Sequence, residues 1–226
     1  LHSGGNGVII SAPSSNPASN ITFTLPNADG SANQVLKTDG SGNLGWVAQT
    51  TDTNDCVKLS NVASTSDVDH ITFTSLDTAT YKAFRLIFAG LPVQDGVELI
   101  FRFMSGSDIA QASNYSWAIM GVSSDSSHFD TMSTNQTTTR IHNGAGNGSA
   151  EGWRTIMDIV PQTTNDFDYG NNFVSWAGNR RDSSGNYRWE SGSSYYKNDS
   201  DTDGFKLTPS SGGFDKYSYT LYGVKR

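Results

Sequence analysis

A single cysteine, Cys56, leaves no disulfide within the chain and no thiolate cluster for a metal. It reads as a small apolar side chain near the start of the main domain. Charge is sparse, at 16% of 226 residues, and basic residues are outnumbered, 15 against 22, for a net charge of −7. Nucleic acid and anionic membrane surfaces, which need a basic footprint, are poor partners for such a chain. No apolar run approaches the length of a bilayer span, so membrane insertion is not expected. Leu1 is followed by no basic and then apolar stretch, so it reads as a fragment or processing boundary and not as a signal peptide.

The chemical motifs are missing too. His2, His70, His128 and His142 occur singly, without the H-E-x-x-H spacing that presents two ligands on one helix face. There is no G-x-S-x-G, and Glu98, Glu151 and Glu190 are scattered, so nothing in the order of residues points to catalysis. The glycines at 144, 146 and 148 form a flexible turn and not a phosphate loop, because no helix follows to hold an anion at its N-terminus.

What remains is rich in Gly, Ser, Thr and Asn, with an apolar fraction of 35%. That composition suits many short strands joined by polar turns. Alternation of apolar and polar residues recurs at 71–73, 84–88, 97–103, 115–122, 137–142, 153–160, 172–179, 186–193, 205–208 and 216–224. Strands of this kind, separated by turn residues, predict an all-β fold: an antiparallel, jelly-roll-like β-sandwich over 56–226. The last strand carries bulk on both faces, which predicts cover on both and makes its truncation an unfolding event.

Ahead of the sandwich lie an extended arm (1–20), a β junction (21–49) and a polar linker (50–55). The junction contains three apolar pieces, Ile21/Phe23/Leu25, Val35/Leu36 and Leu44/Trp46/Val47, divided by the turn residues Asp29-Gly30 and Asp39-Gly40-Ser41-Gly42-Asn43. Ribbons this short are marginal in water. One apolar face must be covered, and other copies of the chain are the expected cover.

The wording of residues 22–47, TFTLPNADGSANQVLKTDGSGNLGWV, resembles the junction that joins a trimeric shaft to a globular head in tailed-phage fibre and other virion structural proteins, many from marine phages. A weaker likeness, YSYTLYGVKR at 217–226, is similar to the final strand of the β-sandwich heads on such fibres. The resemblance implies a homotrimeric virion structural protein, located on the particle surface among other virion proteins. Its head would attach to host-surface glycan. A purely architectural fibre or collar component and the carbohydrate-binding module of a secreted polysaccharide-degrading enzyme are the alternatives. A depolymerase would have to show itself by releasing reducing ends.

Candidate ligand residues follow from chemistry. Aromatic faces beside polar groups suit sugars, whose C–H faces stack while hydroxyls hydrogen-bond. Tyr187, Arg188, Trp189, Tyr195 and Tyr196 flank Gly- and Ser-rich turns and are the candidate glycan residues in distal loops, with strand ends and packing between subunits as the other reading, whereas Trp117, Trp153 and Trp176 are expected in the core. Asp199, Asp201 and Asp203 form a D-x-D-x-D-G turn that offers Ca2+ hard oxygen ligands; position twelve, however, is Ser210 and no helices flank the loop, which favours a plain acidic turn over a Ca2+ site. The acidic stretch 165–170 and Arg180-Arg181-Asp182 read as solvated turns.

Overall fold

Alternation becomes strand throughout the computed structural model, which describes residues 13–49, 55–106, 108–109, 114–162, 171–197 and 201–225. The fold is all-β and antiparallel, with no helix among the described residues. Two units divide the chain, Leu1–Thr53 and Asn54–Arg226.

In the first unit, β1 (Gln34–Thr38) and β2 (Leu44–Ala48) form a hairpin. The Asp39 carboxylate organises its turn, accepting hydrogen bonds from the Ser41 and Asn43 amides at 2.7 and 3.1 Å and from the Asn43 side chain at 2.7 Å. Those bonds, that of the Asn43 side chain foremost, hold its pKa below the ordinary carboxylate range. Thr24 lies parallel beside the hairpin, its amide donating to Gly42 O and its carbonyl accepting from the Leu44 amide, both at 2.8 Å. Gly42 has φ +94°, and a Cβ there would sit 2.7 Å from Thr22 O, so this turn requires glycine. Trp46 closes the other turn by donating Nε1–H to Ala28 O at 2.9 Å, with Gly30 against its ring.

The second unit stacks two unequal sheets. The larger has the order β3 (Cys56–Ser64), β15 (Phe214–Lys225), β5 (Tyr81–Pro92), β11 (Gly152–Val160), β12 (Asn171–Arg181), β13 (Tyr187–Lys197), β8 (Tyr115–Ser123), β9 (His128–Gln136). The smaller runs β10 (Thr139–Ala145), β6 (Val97–Ser105), β14 (Gly204–Pro209), β4 (Ile71–Phe73), with β7 (Asp108–Ile109) on β6. The edge strands β3 and β9 are additions to the ten segments expected from alternation.

Between the sheets, Phe84, Leu86 and Phe88 of β5 face Leu99, Phe101 and Phe103 of β6, all buried. Phe101 packs edge-on to Phe103 at 4.9 Å and stacks on Phe205 at 5.5 Å, which in turn stacks on Phe73 at 4.4 Å. Each such side chain stabilises the fold by about 1.5–3 kcal/mol through burial. Tyr115 spans the layers: its hydroxyl accepts the Phe103 amide at 2.9 Å, and its ring stacks on Tyr196 at 4.3 Å. Desolvation pushes the Tyr115 phenol well above its usual pKa.

Trp117, Trp153 and Trp176 are core, as expected. Strand β15 divides as the sequence implied, Tyr217, Tyr219 and Leu221 inward and Ser218, Thr220 and Tyr222 outward, but it lies one strand from an edge and its outer face is only partly covered. Cys56 is exposed, because it opens an edge strand with no layer over it.

Candidate functional site

The outer face of the large sheet is where exposed aromatic and polar groups meet. Neighbouring strands place Ala89, Arg154, Asn179, Trp189, Val122 and His128 side by side in one row. The adjacent row is Ile87, Ile156, Ala177, Ser191, Met120 and Asp130. Small side chains in the middle, Ala177 and Ser191, leave a trough between taller walls. Over β13, β8 and β9 it forms a depression of about 790 Å³ lined by Trp189, Met120, Val122, His128, Asp130 and Asn179. It continues through Ala177, Gly178 and Asn179 into a second of about 480 Å³, lined by Arg154, Ile156, Ile87 and Thr220.

Trp189 is the centre of this surface, with half of its area exposed. It faces outward because β13 alternates: Tyr187, Trp189, Ser191, Ser193 and Tyr195 point to solvent, while Glu190, Ser194 and Tyr196 point inward. Arg181, on the same face, lays its guanidinium 5.4 Å above the Tyr187 ring. Tyr195 shares the outer face but stands six residues along the strand from Trp189, about 20 Å away, beside the exposed Phe173.

Two of the expected glycan residues face the other way. Tyr196 is only 3% exposed and belongs to the core, because it follows Tyr195 on an alternating strand. Arg188 pairs with Asp182 at 3.0 Å and lies over the Phe129 ring at 6.0 Å. Tyr187, Trp189 and Tyr195 therefore belong to a sheet face and not to distal loops. Residues 180–182 are likewise not a solvated turn: Asp182 holds Arg188, Arg181 covers Tyr187, and Arg180 is buried.

Beneath the trough floor lies a polar cluster that ties the two sheets together. Glu190 Oε2 accepts the Nδ1 proton of His142 at 2.6 Å, and Oε1 accepts Arg180 Nε at 2.9 Å. The Asn143 amide adds a bond at 3.3 Å, and Arg180 also donates to Gly144 O. All three side chains are almost wholly buried. Burial works to raise the Glu190 pKa, but the hydrogen bond and charge of His142 and the charge of Arg180 outweigh it and hold the carboxyl below its ordinary value. His142 thus lies deep in the interior, its Nδ1 bonded to Glu190 and its Nε2 buried without a hydrogen-bond partner among the described residues. The cluster itself was not legible, since its members come from β10, β12 and β13. A Glu flanked by residues of an outward-facing aromatic strand was the one available sign.

Asp199 lies outside the described residues. Asp203 accepts the Gly106 amide at 2.6 Å, and no group of three or more metal-ligating side chains occurs among the described residues. The acidic stretch 165–170 also lies outside them. Gly144 lies in strand β10 and not in a flexible turn, and just beyond the strand the Asn147 and Gly148 amides are engaged by the Asp95 and Glu151 carboxylates at 2.8 and 2.6 Å, so an anion would find these donors occupied. No family model, curated protein or solved structure matches this chain.

Proposed function

We propose that the chain is a structural protein of a virion, a homotrimeric fibre component of the tailed-phage kind, whose β-sandwich meets the host surface. The carrying observation is the junction. Ile21, Phe23, Leu25, Val35, Leu36, Trp46 and Val47 are between 40 and 71% exposed, although the local turns around them are fully built. A segment with ordered turns and bare apolar side chains is shaped for burial against another chain. Symmetric copies supply that cover with no further gene product, and a fibre made of them multiplies weak contacts with a cell surface into useful avidity.

Light scattering of the full chain tests this reading. A three-chain mass is expected, falling to one chain when residues 1–47 are deleted, with the sandwich still folded by circular dichroism. A monomeric full chain would overturn the reading and favour a carbohydrate-binding module of a secreted enzyme.

A further inference from the structure

The outer face of the large sheet has a charge balance opposite to that of the whole chain, and within the trough itself the exposed charges are Arg154 at one end and Asp130 at the other. The protein carries a net −7, yet the residues that alternation sends to this outer face include Lys58, Arg85, Arg154, Arg181 and Lys197 against only Asp130 and Asp158. Arg85 is engaged with Asp158 in a two-bond pair at 2.7 and 2.8 Å, and Arg181 is committed to the Tyr187 ring. Arg154 stands exposed in the middle of the face, on the row that contains Trp189. Two inter-strand steps separate them, about 10 Å.

We infer that this trough binds a linear acidic polysaccharide laid across the strands, with one sugar ring on Trp189 and a carboxylate further along the polymer on Arg154. The inference rests on the host-surface reading above and gives it a ligand class and a place. Three residues of the surface have a matching part in such a polymer. The indole offers a flat apolar face to sugar C–H groups, Asn179 lies between Trp189 and Arg154 to exchange hydrogen bonds with hydroxyls, and a guanidinium pairs with a planar carboxylate through two donors. The trough is continuous over neighbouring strands, which suits a chain passing through more than a chain end. A neutral glycan would use Trp189 and leave Arg154 unmatched. A second copy of the same face would set its surplus of cations against like charge.

The test uses the full-length chain in affinity electrophoresis through gels containing polygalacturonate, alginate, hyaluronan or neutral amylose. At least one acidic polymer is expected to retard the protein, with retardation falling as salt rises, and amylose is expected to have little effect. Trp189→Ala and Arg154→Gln should each weaken retention about tenfold, equivalent to about 1.4 kcal/mol. Lys206→Gln, on the opposite sheet, should leave it unchanged. Thermal unfolding of each variant separates loss of binding from loss of fold. Retention by none of the acidic polymers, or by amylose alone, overturns the inference. So does a change in native mass for Trp189→Ala without polymer binding, which would make the face a subunit contact. Native mass and retention are read separately, so a monomer that still binds acidic polymer refutes the trimer and keeps the trough.

Discussion

Phe23 and Phe73 sit in nearly the same local sequence, Ile-Thr-Phe-Thr, and meet opposite fates: the first is 60% exposed, the second 6%. Both obey the same period of two. In the sandwich the apolar side of β4 finds Phe205 of β14 and Tyr219 of the opposing sheet. In the junction the apolar side finds no second layer among the described residues of its own unit. Alternation thus specifies that a face wants burial, and only the surrounding layers decide whether one chain can provide it.

The contrast can be sharpened by substitution. Phe101→Ala removes a ring held among other core aromatics and should cost about 3–5 kcal/mol in denaturant unfolding. Glu190→Gln leaves Arg180 without its counter-charge in the interior and should cost about 3–5 kcal/mol as well. Its pH dependence carries a sign. The Glu190 pKa is lower folded than unfolded, so its contribution is present above the ordinary carboxylate value of 4.5 and is lost as pH falls through the lower folded value. Unfolding curves between neutral pH and pH 3 should therefore converge for the wild type and the variant on the acid side.

Smaller effects complete the series. Tyr115→Phe orphans the buried Phe103 amide and should cost about 1–3 kcal/mol. Arg85→Ala breaks an exposed pair, for about 0.2–1 kcal/mol that high salt removes. Phe23→Ala should change unfolding of the sandwich by less than about 0.5 kcal/mol while weakening assembly, which analytical ultracentrifugation would read as dissociation at higher protein concentration. A large stability loss from Phe23→Ala with an unchanged assembly would abolish the distinction between the two regions.

Alternation made the central strands legible, because strands between sheets must carry a continuous apolar side. It did not reveal CVKLSNVAS at 56–64 or HFDTMSTNQ at 128–136, which form the two edges of the large sheet and need only weak apolar patterning. The site divides in the same way. Trp189 was visible as an aromatic among turn residues, and its alternate neighbours fix Tyr187 and Tyr195 on its side and Tyr196 behind it. Arg154, Asn179 and His128 could not be placed beside it, since their nearness depends on four pairings among five hairpin-linked or distant strands. The Glu190 cluster needed the stacking of both sheets, and the sequence spreads its members without a recognisable interval.

Strand β15 lies between β3 and β5, and β3 opens the sandwich in sequence while β15 closes it. Until these far-apart segments meet, β3 has no partner and β5 shows a bare flank. Such a topology pays its loop entropy before any reward arrives, so refolding should run on the millisecond-to-second scale typical of non-local β architectures. During that wait the unpaired flanks are open to intermolecular pairing, and yield on refolding should fall steeply with concentration.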